Sequence, residues 1–199
     1  MAILLHHVRF SITYDICVGR RERNLLWRKV GMSDSASSSV VWRGAMSVRL
    51  RTINRTEMPL LEPLYLELAR HHNEVSAHFR GSYPSVSVED QIKECVEDIA
   101  AGKSFVAVAE QGGGIVAFCK VDIVGDRGYL EELVVKPEYR GQGIGSKLMD
   151  WADGVFLEHG VRQVELLVVV GNEDARRFYE QRGFLPSVLE MKRVQPTGC

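Results

Sequence analysis

The sequence lacks any apolar run approaching the ~20 residues that a membrane-spanning helix requires. The opening "MAILLHHVRF" offers an apolar patch of four residues before His6, His7 and Arg9, a poor signal peptide. Neither feature gives a membrane partner. Cysteine is scarce: Cys17, Cys95, Cys119 and Cys199, none in CxxC spacing. That argues against a disulfide frame and a zinc site and predicts reduced thiols in a cytoplasmic protein that uses no metal. An excess of one charge is also missing. The net charge of −1 gives no reason to expect a nucleic-acid partner.

What is present is ordinary for a globular chain. Of 199 residues, 45% are hydrophobic and 26% charged, enough for one buried core. The charge is uneven. Residues 1–45 carry seven Lys and Arg against three acids, and the remainder carries 18 against 23. The acidic body suits a cationic substrate.

Residues 1–45 read as an N-terminal extension, poorly structured or non-native. They hold the basic stretch "RRERNLLWRKV" and the serine-rich linker "SDSASSSV". Three readings compete: an appendage with little structure, translated sequence upstream of a start at Met46, or an Arg- and Ser-rich transit peptide. Residues 46–199 read as the domain proper.

Periodicity divides that domain into alternating elements. "VRLRTI" alternates as a strand. Leu60, Leu61, Leu64 and Leu68 have helical spacing, with Pro63 delaying the helix proper. Ser87 caps "VEDQIKECVEDIAAG", with Asp90 at the capping-box position and Gly102 as the stop. "KSFVAVAE" and "GIVAFCKVDIV" flank a "QGGG" hairpin turn, and "YLEELVVKP" is a third strand of this half. An amphipathic helix follows the glycine turn. "VRQVELLVVV" is expected as a strand buried on both faces. "NEDARRFYEQRG" is a short helix and "FLPSVLEMKRV" a final strand. The order βααβββαβαβ predicts an α/β fold, a mixed sheet with helices on both faces.

"EYRGQGIGSKLM" is the informative stretch. Glycine costs a helix about 1 kcal/mol per position, yet three glycines open this one. Bare amides at a helix start, reinforced by the helix dipole, bind phosphate. The spacing fits neither the dinucleotide GxGxxG nor the GxxxxGK[ST] loop. It fits R-x-x-G-x-G, as Arg140, Gly143 and Gly145.

Together with "NEDARRFYEQRGF", this stretch resembles the acetyl-CoA signature of the GCN5-related N-acetyltransferase (GNAT) superfamily. The run "YLEELVVKPEYRGQGIGSKLM" is most similar to the spermidine/spermine (polyamine) branch. The resemblance implies a splayed sheet, acetyl-CoA as co-substrate, and an acetyl-CoA-dependent N-acetyltransferase. It puts pyrophosphate on Arg140, Gly141, Gln142, Gly143, Ile144, Gly145 and Ser146. The pantetheine arm would pair with the main chain of Leu133, Val134 and Val135, with Asn172 and Ala175 beginning the helix beside it. Tyr179 matches the tyrosine that protonates the leaving thiolate. On the helix alone it reads as a packed aromatic.

An ammonium acceptor must lose a proton, and a carboxylate is the usual base. Adjacent Glu131 and Glu132 point to opposite faces of a regular strand, so one faces the cleft unless a bulge intervenes. The resemblance favours Glu131 as base and Glu132 as a second acid near the amine. The alternative is a pair of ordinary strand-edge acids. The resemblance implies an acceptor wall from the loop holding His72, Asn73, His78, Phe79, Arg80, Tyr83 and Pro84, although His71, His72 and His78 each read more readily as surface or packing. Arg80 would repel a polycation if it faced the cleft. The expected acceptor is a small-molecule primary amine attacked directly in a ternary complex. Alternatives are a protein N-terminus or lysine, and a non-catalytic acyl-CoA-binding module. A homodimer through "VLEMKRV" is the partner expectation.

Overall fold

The computed structural model describes residues 47–193. The expected extension, its junction at Met46 and the last six residues lie outside them. Five strands form one sheet in the order β1-β2-β3-β4-β5: Arg49–Thr52, Ser104–Gln111, Gly114–Val124, Arg127–Val135 and Gln163–Leu166. β1 to β4 are antiparallel neighbours, and β5 runs parallel to β4. The helices are α1 (Glu62–Val75), α2 (Val88–Ala100), α3 (Ile144–Glu158) and α4 (Glu173–Gln181).

Local sequence sets these limits. Asn54 opens a 3-10 turn over Arg55–Leu61 with a capping box to Glu57, and Pro63 enters the first turn of α1. Ser87 caps α2 as expected: Asp90 N–H donates to its Oγ at 3.1 Å. The Ser87 hydroxyl donates to the Asp90 carboxylate at 2.6 Å.

Alternation along the central strands builds a core on each face of the sheet. Val106, Val108 and Phe118 pack with Met58, Leu61, Leu64 and Tyr65 beneath α1 and α2. Ala107, Ala109, Cys119 and Val121 pack with Leu148, Met149, Ala152 and Phe156 of α3. Burying each large side chain contributes about 2 kcal/mol, so both helical layers are held by apolar area.

Two strand expectations are corrected. β5 stops at Leu166, where its pairing with β4 ends at Leu130. Leu167 and Val170 are exposed rather than doubly buried, because a strand diverging from its neighbour has no second face to cover it. "FLPSVLEMKRV" forms no strand within the described residues. Alternation suits a strand, but a strand exists only through pairing, and Pro186 removes one donor. Leu185, Val188, Leu189 and Met191 are exposed there.

Candidate active site

Where β5 leaves β4 a cleft of about 520 Å³ opens. One wall is the far half of β4, from Glu131 to Val135. The floor of one end is the glycine turn. Gly143, at φ 76°, caps α3 in the left-handed region, and Gly141 at φ 73° precedes it. The first amides of α3, at Ile144, Gly145 and Ser146, have no intrahelical acceptor by virtue of their position. Side chains tie this turn to its surroundings. Arg140 Nε donates to the Val135 carbonyl at 3.0 Å, and Gln142 Nε2 donates to the Glu138 carbonyl at 3.2 Å. Six of the seven expected turn residues line the cleft, and Gln142 does not.

The opposite wall is α4. Asn172 caps it, accepting from Ala175 N–H at 3.2 Å, and both residues line the cleft. Arg182 fastens α4 to α3, donating to Asp150 Oδ1 and to the Ser146 carbonyl, each at 2.9 Å, with its guanidinium over the Phe178 ring. Tyr179 is thereby held in the cleft between Phe178 and Phe184, with ring centroids at 5.4 and 5.9 Å. Burial pushes the Tyr179 hydroxyl well above the usual phenol range, and so it stays protonated.

The other end of the cleft is lined by α1 and β4. The β3–β4 ladder pairs Lys120 with Glu132 and then Val121 with Leu130, so Glu131 is the extra residue of a bulge. Regular alternation would have sent one acid away from the cleft. With the bulge, both line it. Glu131 is exposed, whereas Glu132 is half-buried as a residue and its Oε2 atom is fully buried with no hydrogen-bond partner. Burial raises the Glu132 carboxyl to about 7, Lys120 opposing the shift and Glu131, Asp122 and Glu94 adding to it.

Sequence reasoning missed several residues that come together here. Glu67, Leu68 and His71 join His72 on the α1 side, and Leu167 and Val168 join from beyond β5. Both histidines are therefore more than surface. Burial, with Arg140 for His71 and with His71 for His72, lowers their affinity for a proton. The α1 spacing Glu67, Leu68, His71, His72 was a readable signal, since i, i+3 and i+4 share a helix face. Asn73, expected in the acceptor wall, instead organises its loop. Its Oδ1 accepts from Gly81 N–H at 2.7 Å and Tyr83 N–H at 3.1 Å, and its Nδ2 donates to the Tyr83 carbonyl at 2.6 Å. Arg80 donates to the Glu74 carbonyl at 3.2 Å and does not line the cleft.

The loop after α1 is joined by backbone to the segment beyond β5. Ala77 N–H donates to the Val170 carbonyl at 3.0 Å. At Gly171 an added Cβ would sit 2.1 Å from the Val75 carbonyl oxygen. The buried thiols Cys95 and Cys119 are un-ionised, Cys95 being pushed up to about 12 by burial.

Known proteins resemble this chain in sequence and in fold. Over 72 residues the chain is 42% identical to thialysine N-epsilon-acetyltransferase of Bos taurus, covering 36% of this chain and 42% of that protein. Over 84 residues it is 38% identical to N-alpha-acetyltransferase 30 of Schizosaccharomyces pombe, covering 41% of this chain and 56% of the relative. The chain thus spans about half the length of these relatives. The fold resembles the crystal structure of PaiA N-acetyltransferase from Thermoplasma acidophilum in complex with coenzyme A, with a TM-score of 0.54 and 19% identity over 73% of this chain and 94% of that one. A model of the acetyltransferase (GNAT) family matches residues 68–184, more than half of the chain and every cleft-lining residue except Glu67. The chain that builds a phosphate-ready glycine turn beside a splayed strand belongs to the acetyltransferase (GNAT) family.

Proposed function

We propose that the protein transfers an acetyl group from acetyl-CoA to a primary amine of a small molecule, by direct attack in a ternary complex. The observation that carries this reading is one cleft lined by the glycine turn, the β4 edge, Tyr179 and the Glu131–Glu132 pair. The residues fit the co-substrate. Space is open around Gly141 and Gly143, where nothing lies within 4 Å of an added Cβ, so phosphate can approach the backbone. The backbone of Leu133, Val134 and Val135, beyond the end of β5 pairing, can hydrogen-bond an extended arm.

Acetyl-CoA would supply the acetyl group as a thioester. Glu131, exposed at the cleft, attracts the acceptor ammonium. We assign proton acceptance to Glu132 rather than Glu131, because a base near pH 7 is poised for an amine that arrives protonated. The freed nitrogen lone pair forms the bond to the acetyl carbonyl carbon, the carbon–sulfur bond breaks, and the Tyr179 hydroxyl gives its proton to the departing sulfur and regains one as the new amide nitrogen sheds its second proton. Cys119, fully buried and held as the thiol, does not serve as an acyl carrier.

Glu67, Glu131 and Glu132 make the acceptor end acidic, which suits a small cationic amine and keeps the polyamine class in the proposal. Arg80 bonds away from the cleft, which removes the objection to a polycation. A reducing cytoplasmic setting is supported by the free thiols Cys95 and Cys119. Homodimer formation is supported by the apolar exposure at Leu185, Val188, Leu189 and Met191. A second reading, acetylation of a protein N-terminus or lysine, is favoured by the S. pombe relative. The test is thiol release from acetyl-CoA with polyamines, amino acids, amino sugars and short peptides, using Tyr179→Phe as control. Turnover on small amines, lost in the control, supports the main reading. Turnover on peptides alone overturns the acceptor class, and none on any amine overturns the enzyme.

A further inference from the structure

Beneath the acceptor end of the cleft lies a charged cluster that no proposed step consumes. Lys120, in the middle of β3, is 8% exposed, and Asp122 is 9% exposed. Lys120 Nζ donates to Asp122 Oδ2 at 3.0 Å. The other Asp122 oxygen accepts from the buried Ser104 hydroxyl at 2.5 Å. Residues 118, 120 and 122 share one face of β3, so the cluster continues the line of Phe118 toward the far end of the core under α1 and α2.

Glu132 stands opposite Lys120 in the ladder, with its Oε2 oxygen buried and without a hydrogen-bond donor. A carboxylate in that state is costly unless a cation offsets it. The groups acting on it come from every packed element. They are Lys120 and Asp122 from β3, Glu131 beside it in β4, Glu94 and Cys95 from α2, and Tyr65 from α1, with Cys119 on the other face of β3. Among these Lys120 is the cation. It is itself kept charged, because Glu132, Asp122 and Glu131 more than reverse the effect of burial.

We propose that Lys120, pinned by Asp122 and Ser104, is a positioning residue that holds a buried positive charge opposite Glu132 in the ladder and so favours the ionised form of its carboxyl. The kinetic consequence rests on the acetyl-transfer reading, whereas the electrostatic consequence does not. Lys120 touches neither acceptor nor donor in this scheme. It acts through Glu132 alone. Asp122 has two opposing parts, since it holds the cation in place and also repels the second carboxylate. The two residues therefore shift Glu132 in opposite directions when neutralised.

The test is a pair of variants read two ways on the full chain. In the pH profile of kcat/KM, Lys120→Met moves the acidic limb to higher pH by about one unit or more. Asp122→Asn moves it to lower pH, because a repelling charge is gone and Lys120 is released toward Glu132. A merely structural role would lower activity and leave the limb in place. The second readout is a 13C carboxyl NMR titration without donor or acceptor, with the Glu132 resonance identified by its loss in Glu132→Gln. The same opposite shifts are expected there. A Glu132 titration unmoved in both variants, or moved the same way in both, overturns the proposal. Opposite shifts in the two variants, together with a wild-type chain that releases no thiol, sink the acetyl-transfer reading and leave Lys120 its role. If Lys120→Met does not fold, Asp122→Asn decides by NMR alone: a shift to lower pH supports the clamp, and no shift overturns it.

Discussion

Glu132 faces Lys120 across the β3–β4 ladder, and the next pair, Val121 with Leu130, skips Glu131. Two adjacent acids thus meet one cleft from different depths, one exposed and one with a buried oxygen. That asymmetry separates their roles. Glu132→Gln is expected to lower kcat/KM by about 10² to 10⁴ at pH 7. Glu131→Gln should chiefly raise the acceptor KM, by about tenfold. Steady-state thiol release at varied acceptor concentration reads both. Equal losses in the two variants would contradict the assignment. The wild-type kcat/KM should fall on the acid side with an apparent pKa near 7.

Tyr179 is held as a neutral phenol, since burial disfavours its charged form. Tyr179→Phe keeps the ring packing on Phe178 and Phe184 and removes the proton. Coenzyme A affinity by calorimetry should stay within about twofold, while turnover falls by about 10² or more. Loss of binding and turnover together would mean that the tyrosine is packing only.

The same glycine-to-alanine change should act oppositely at two ends of α3. Gly143 sits at φ 76°, and an alanine there pays about 1–2 kcal/mol in the left-handed region. Its Cβ would also enter the open space beside the turn, where phosphate is proposed to bind. Gly154 lies inside α3 with nothing within 4 Å of an added Cβ, so Gly154→Ala should stabilise by about 0.5–1 kcal/mol. Coenzyme A binding should weaken only in Gly143→Ala. Thermal unfolding with and without coenzyme A distinguishes them.

Gly171→Ala meets the Val75 carbonyl oxygen at 2.1 Å with φ at 106°, so backbone must move. The Ala77–Val170 hydrogen bond beside it should break. Expected are a loss of about 2–4 kcal/mol in stability and faster hydrogen exchange at Ala77. An unchanged exchange rate would show that the two walls are not fastened there.

Folded Glu132 binds its proton more tightly than the unfolded chain does, its carboxyl being raised from 4.5 to about 7. Stability from this group is therefore full below pH 4.5 and falls as pH rises to about 7, by an amount on the order of 3 kcal/mol. Denaturant unfolding at pH 5 and pH 8 should show this decline in the wild type and much less of it in Glu132→Gln. A wild type and variant with parallel pH dependence would contradict it.

Most of the fold could be read from local signals. Ser87, Gly102, the "QGGG" turn and Asn172 mark element ends by their own chemistry, and the structure follows them. Illegible parts depend on long-range pairing. Nothing in "VRQVELLVVV" says that pairing stops at Leu166, and nothing in "VLEMKRV" says that no strand forms. In the site, the glycine turn was legible because its amides need no distant partner. The Glu131 bulge was not, since a one-residue register shift is a property of two strands. Lys120 and Asp122 did leave a trace, as two charges at i and i+2 inside an otherwise apolar strand. Such a pair is tolerable in a core only when joined.

The bulge has one more consequence. Excising Glu131 would leave Leu130 opposite Val121 and Glu132 opposite Lys120, every side chain on its present face. The sheet itself therefore has no need of this residue. The last β4–β5 pair, Leu130 with Leu166, falls immediately before it, where the added twist of a bulge turns the strand aside. A single extra amino acid thus marks the point where a continuous barrier of paired strands gives way to an open seam.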